Sequence, residues 1–259
     1  MVAPRFEIQY AAYRDWQPQD YLAQYYVDVK TEELLTLEFL VQSLQNMPTT
    51  SVMLDFGCGP IISHILPIVP KVQEIHMAEY LPANRAEVQK WLASTDDAHN
   101  WRAFALATLR LEGNPNPTET EAKAREQQAR DRIKSLLPCD VNNPDPLGAQ
   151  RRGFYPLVTT SYCAEGVTTS KEKWRAYMRN IASLVKPGGV LLLSAVGGAA
   201  NFYRVGDRYF PCTRLDRQDV LASLGENGFT DIDIRIRQVS DRSQEDYSHL
   251  IFARAVKAG

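Results

Sequence analysis

The eight residues Val52-Met-Leu-Asp-Phe-Gly-Cys-Gly59 run an apolar strand into a glycine turn, and the sequence beyond reads as helix. In an open α/β sheet that junction is where nucleotide-like ligands dock. Gly57 and Gly59 permit backbone conformations that a Cβ forbids and leave room for a ligand against the main chain. Two glycines followed by Pro60 fall short of the dinucleotide fingerprint, so the turn is poorly built to seat a pyrophosphate and suits a smaller, phosphate-free adenosyl ligand. The next apolar run, Ile75-His-Met-Ala78, ends in Glu79. A carboxylate at a strand tip about twenty residues past the glycines can accept both hydroxyls of a ribose. It can equally cap the helix that follows, and the residues leave both readings open.

The elements that must position these groups follow from periodicity. Asp20 is a candidate N-cap for a short aromatic helix, Tyr21-Leu-Ala-Gln-Tyr-Tyr26, and Thr31 opens a second helix running to about Gln45. Apolar runs predict strands at 52–56, 75–78, 157–160, 190–195, 232–239 and 249–255, with helices at 82–94, 171–185 and 216–227. Strands alternating with helices imply an α/β fold with a largely parallel sheet covered on both faces. Lys186-Pro-Gly-Gly189 stops a helix and turns the chain into a buried strand. Residues 113–137 interrupt the alternation: a Gly113-Asn-Pro-Asn-Pro117 loop precedes a highly charged stretch, Glu119 to Leu137, which reads as a solvated helical insertion.

Composition narrows the partners. With 259 residues the chain is long enough for a full core and short enough for one domain with an insertion. A net charge of −2 offers no basic field for a phosphate backbone, so nucleic acid is not an expected partner. Cys58, Cys139, Cys163 and Cys212 are widely spaced and have no zinc-ligand pattern, which points to a reducing setting and no structural metal. The longest apolar stretch, Val190 to Ala200, is below spanning length, and Arg5, Glu7 and Arg14 do not suit a signal peptide. A cytoplasmic protein with no membrane partner is expected, and nothing demands more than a monomer.

Further blocks stand at Asp20-Tyr-Leu-Ala-Gln-Tyr-Tyr26, Leu54-Asp-Phe-Gly-Cys-Gly-Pro60, Glu79-Tyr-Leu-Pro-Ala-Asn-Arg85, Lys90-Trp-Leu92, Leu137-Pro-Cys-Asp-Val141, Pro146-Leu-Gly-Ala149, Lys186-Pro-Gly-Gly189 and Asp246-Tyr-Ser-His-Leu-Ile-Phe252. Together they resemble the S-adenosylmethionine-dependent methyltransferases that include the phenylethanolamine, nicotinamide and indolethylamine/thioether N-methyltransferases. The likeness extends from about Trp16 to Lys257. It implies a single-domain class I, Rossmann-like α/β fold over 1–259, with a mostly parallel seven-stranded sheet, helices on both faces and an N-terminal helical lid within 1–47. It also implies S-adenosyl-L-methionine as cofactor and a small molecule as methyl acceptor.

By that resemblance Tyr21 and Tyr26 close over the methionine and sulfonium end, Gly57 and Gly59 form the backbone bed, and Glu79 holds the ribose. Asn84 adds a polar contact, Asp140 and Val141 bracket the adenine, and Ser161 lies near the methionine portion. Taken singly, Tyr21 and Tyr25 could pack the first helix onto the body, and Asp140 could begin a turn. Ser63 stands where the nicotinamide enzyme has a cofactor-contacting tyrosine, and Cys212 where that enzyme has a serine on its amide substrate.

Methyl transfer from a sulfonium is an in-line displacement, so most of the acceleration comes from geometry, worth roughly 7–11 kcal/mol at best. An alkylammonium acceptor must also lose a proton, for which a carboxylate suffices. Glu165 and Asp246 match substrate-side acids of the phenylethanolamine enzyme; without the resemblance they read equally as a first-turn acid and a turn residue. Relatives carry another acid after the strand ending near Ser194, where this chain has small apolar residues through Ala200. A pocket short of one carboxylate discriminates less for a cationic amine and accepts a neutral aromatic or heterocycle more readily. The sequence therefore points to methylation of an amine or nitrogen heterocycle, with an aromatic or indole-like acceptor as the narrower expectation. Transfer to carbon or oxygen of an electron-rich aromatic is the rival among enzymes, and a non-catalytic adenosylmethionine-binding module the rival outside them. A nicotinamide-dinucleotide oxidoreductase is disfavoured by the missing glycine.

Overall fold

Two helices lead the chain: α1, Pro18–Tyr25, started by a proline at its first position, and α2, Thr31–Leu44. A computed structural model describes residues 9–198, 201–239 and 247–259. After α2 come β1 (Thr50–Phe56), β2 (Val72–Glu79), α3 (Pro82–Leu92), α4 (Arg102–Leu111), α5 (Glu119–Arg132), β3 (Ile133–Pro138) and β4 (Tyr155–Ser161). The remainder is α6 (Lys171–Ala182), β5 (Val185–Gly197), a hairpin of β6 (Phe202–Val205) and β7 (Arg208–Pro211), α7 (Arg217–Glu226), β8 (Phe229–Gln238) and β9 (His249–Lys257).

Seven strands form one sheet in the order β3-β2-β1-β4-β5-β9-β8, with β9 the only antiparallel member. The alternation of side chains divides β1 between two cores: Met53 joins Leu40, Met77 and Phe104 on one face, while Leu54 and Phe56 join Trp174, Ile181 and Leu191 on the other. Burial on both faces is what a parallel sheet under helices requires. The strand order reverses between β1 and β4, so the carboxyl ends of these two strands diverge and open a crevice.

Two parts of the sequence reading need correction. The charged stretch Glu119 to Leu137 is not one solvated helix: α5 ends at Arg132 and its tail enters edge strand β3 against β2. Nor is its charge all on a wet face. Arg125 and Glu126 are buried; Arg125 donates to both Glu112 oxygens at 2.7 and 2.6 Å and to Leu66 O at 2.9 Å, and Glu126 Oε1 accepts from Arg102 Nε at 2.6 Å. Paired in this way, charges are tolerated inside. The β6–β7 hairpin also went unread, although Gly206-Asp207 between two alternating runs is a turn pair, and Gly206 takes φ +60°.

Candidate active site

The glycine turn after β1 lies at the strand-order reversal. Gly57 has φ +72°, and a Cβ there would fall inside the van der Waals envelope of Cys163 Sγ, on the loop after β4. Gly59 has φ +61° with nothing within 4 Å of where a Cβ would point, so its open face forms a cradle. Gly59 N–H donates to Glu79 Oε2 at 3.0 Å, while Glu79 Oε1 accepts from Leu81 N–H at 2.8 Å and Asn84 Nδ2 at 3.1 Å. The carboxylate thus fixes the glycine turn and also satisfies the approach to α3, so the two sequence readings of Glu79 are compatible. Burial pushes its carboxyl above the ordinary value, and these donors hold the rise in check.

A cavity of about 360 Å³ runs along this turn and takes in all nine residues expected on the cofactor side: Tyr21, Tyr26, Gly57, Gly59, Glu79, Asn84, Asp140, Val141 and Ser161. Asp140, just past β3, accepts from Asn142 N–H at 2.9 Å, so it does start a turn while facing the cavity. Asn84 Oδ1 accepts from Trp16 Nε1 at 2.9 Å. The side chain of Asn84 therefore spans from Trp16 to Glu79. Tyr21 packs at 5.0 Å from Trp16 and Tyr25 and 5.5 Å from Tyr26, which in turn meets Trp101 edge-on. Ser63 is wholly buried and lines neither this cavity nor its neighbour. An adenosyl ligand suits such a site: a bare backbone cradle, a carboxylate on the neighbouring strand tip, a second carboxylate past β3 and tyrosine rings, all lining one cavity.

A second cavity of about 480 Å³ abuts the first, sharing Tyr21, Tyr26, Tyr162 and Tyr203 as common wall. Glu165 lies here, in the single turn Glu165–Val167, while Ser170 caps α6 instead. Its Oε1 accepts from Val196 N–H at 3.1 Å; Oε2 has no partner among the described residues. With 1 % exposure, burial raises the Glu165 carboxyl to about 7 against the backbone donors that oppose it. That is the range in which a carboxylate exchanges a proton at neutral pH. Cys212 also lines this cavity. Asp246, the other expected acid, lies outside the described residues.

Several lining residues were not read from the sequence. Trp16 precedes the first helix and looks like core. Tyr162 sits on the shared wall with φ +53°, a left-handed conformation rare for a non-glycine residue, and its hydroxyl is 2.7 Å from Thr36 Oγ1. Such strain at a crevice is a mark of a functional position. Tyr203 arrives on β6 and stacks on Phe210 at 5.6 Å. Glu33, on α2, was not singled out in the sequence and is 6 % exposed.

A model of the NNMT/PNMT/TEMT family matches residues 6–258. Indolethylamine N-methyltransferase of Oryctolagus cuniculus is 30 % identical over 220 residues, covering 82 % of this chain and 81 % of that one. Human nicotinamide N-methyltransferase is 28 % identical over 222 residues, with 83 % and 82 % covered, and human phenylethanolamine N-methyltransferase 26 % over 263 residues, with 96 % and 91 % covered. Among solved structures, the fold is similar to that of Burkholderia thailandensis 1,6-didemethyltoxoflavin-N1-methyltransferase at a TM-score of 0.56 and 14 % identity, covering 98 % of this chain and 94 % of that one. It is also similar to magnesium protoporphyrin IX methyltransferase of Synechocystis PCC 6803, at 0.57 and 20 %, with 95 % and 93 % covered.

Proposed function

The chain belongs to the NNMT/PNMT/TEMT family and is an S-adenosylmethionine-dependent small-molecule N-methyltransferase; from that premise we propose that its acceptor is an aromatic amine or nitrogen heterocycle bound beside Glu165. The observation that carries this reading is the pair of abutting cavities, one along the glycine turn and one around a buried carboxylate, meeting at a wall of tyrosines.

On the cofactor side, Glu79 takes the ribose hydroxyls, Asp140 and Val141 the adenine edge, and Gly57, Gly59 and Ser161 the remainder, with Asn84 steadying Glu79. S-adenosylmethionine supplies, when bound, a methyl group activated by its sulfonium. Tyr21 and Tyr26 exclude water from the reacting end and present ring faces that favour a cation. The acceptor nitrogen must present a lone pair, so an ammonium gives up a proton first; Glu165 Oε2 is the group that takes it. Asp246 is proposed as the second substrate-side acid. Four free thiols, three of them buried, suit a cytosolic setting.

Release of S-adenosylhomocysteine in the presence of an acceptor panel tests the reading. Turnover with arylalkylamines or nitrogen heterocycles and none with matched phenols supports it. Turnover with phenols alone overturns it in favour of transfer to oxygen or carbon.

A further inference from the structure

The run after β5 carries no acid through Ala200, yet a second carboxylate lines the acceptor cavity from α2. Glu33 lies in the first turn of α2 and lines the 480 Å³ cavity together with Glu165. Its Oε2 is 3.1 Å from His64 Nε2, on the short turn Ser63–Ile65 after the glycine loop. Its Oε1 is buried without a partner among the described residues, as is Glu165 Oε2.

A buried carboxylate oxygen left unpaired is costly, so two residues that line one cavity and each keep such an oxygen point to a donor received there. His64 is the partner that holds Glu33. Burial works to lower the imidazole pKa, but the charge and hydrogen bond of Glu33, with Asp55 behind, outweigh it and leave the pKa raised. The contact with His64 Nε2 fixes the carboxylate rotamer and leaves Oε1 as the unpartnered oxygen among the described residues. Asp55 is itself held by Thr159 Oγ1 at 2.9 Å, so the pair is anchored to β1 and β4. Among the described residues, the other charged side chains lining the cavity are Lys30 and Glu32; Lys30 Nζ is turned to Gln24 O at 2.6 Å.

We propose that Glu33 is an acceptor-binding carboxylate that acts with Glu165, so that a cationic amine is gripped between the two carboxylates, with His64 as the positioning residue. The inference rests on the acceptor cavity assigned above and narrows its ligand to amines that are protonated in solution.

Calorimetric titration of 2-phenylethylamine and its uncharged counterpart 2-phenylethanol into protein saturated with S-adenosylhomocysteine tests it. The wild type should bind the amine more tightly, and Glu33→Gln should cut that preference by about tenfold or more while leaving S-adenosylhomocysteine affinity unchanged, as expected for losing a hydrogen bond to a charged group. A preference unaltered by Glu33→Gln overturns the assignment of Glu33 alone. A wild type that binds S-adenosylhomocysteine but does not prefer the amine overturns the amine reading of the acceptor site as well. Should Glu33→Gln not fold because His64 is left unpaired, the double variant Glu33→Gln/His64→Gln removes both charges and decides on the same two criteria. Loss of S-adenosylhomocysteine binding in both variants makes Glu33 a structural carboxylate and overturns the proposal.

Discussion

Trp16 Nε1 donates to Asn84 Oδ1 at 2.9 Å, joining residues 68 positions apart, and the same amide donates to Glu79 at 3.1 Å. The segment that leads into α1 is thereby tied to the carboxylate at the tip of β2. On the proposed reading, the lid and the ribose carboxylate form one hydrogen-bonded unit. Trp16→Phe keeps an aromatic ring and removes the donor, so S-adenosylhomocysteine affinity should fall by about fivefold, the weight of one ordinary hydrogen bond. An unchanged dissociation constant in calorimetry would separate the lid from the ribose site.

Glu79→Gln addresses that site directly. The variant keeps an acceptor for Gly59 N–H and loses the charge that a ribose edge would meet. The expected weakening of S-adenosylhomocysteine binding is about tenfold to a hundredfold, the range for charge-assisted hydrogen bonds. Affinity equal to that of the wild type would leave Glu79 as a cap of the turn into α3 and nothing more.

Glu165 sets a pH dependence whose sign follows from its raised carboxyl of about 7. Below that pH the group is protonated and cannot take the acceptor's proton, so kcat/KM for an amine should fall as pH drops through about 7, and Glu165→Gln should abolish that limb. The loss of turnover in the variant should be about a hundredfold near neutrality and smaller at high pH, where free amine is plentiful. A loss independent of pH would assign Glu165 to positioning.

The same carboxyl is a stability term. Folding raises its pKa from the ordinary 4.5, so its neutral form favours the fold below that value, and the contribution is lost as pH rises through about 7. Between pH 4 and pH 9 the stability of Glu165→Gln relative to the wild type should therefore shift in favour of the variant by on the order of 3 kcal/mol. Urea unfolding of both proteins at the two pH values measures the shift; a constant difference would contradict it.

Gly57 tests the architecture of the crevice. Gly57→Ala meets both a φ of +72° and the Cys163 side chain, and should cost about 2 kcal/mol or more. Adding Cys163→Ala removes the Sγ contact but leaves the Cβ of residue 163 at 2.7 Å and the backbone strain, so the double variant should recover part of the loss. Full recovery would show that φ carries no strain there; none would show that Sγ is not the obstacle.

The sheet was legible because its central strands are continuous apolar runs between turn signals, and the cofactor side because its groups sit at the ends of those runs: Gly57 after β1, Glu79 at the tip of β2 and Ser161 closing β4. β3 was hidden because an edge strand needs little hydrophobicity, and Ile133-Lys-Ser-Leu-Leu-Pro138 follows a highly charged helix without a break. Glu33, His64, Trp16 and Tyr203 were hidden for another reason. Each stands alone in its segment as an ordinary helix acid, core imidazole or aromatic, and only the packing of α2, β6 and the N-terminal segment around the crevice brings them together. Tyr162 follows β4 directly, three residues before Glu165, but its left-handed backbone has no sequence signature.

The most direct test of the account is to supply S-adenosylmethionine carrying a 13C-labelled methyl group with an arylalkylamine acceptor and locate the label by NMR in the product. The account predicts a new 13C methyl bonded to nitrogen, accompanied by S-adenosylhomocysteine. A methyl on carbon or oxygen, or no transfer to any amine by protein that binds S-adenosylhomocysteine, would contradict it.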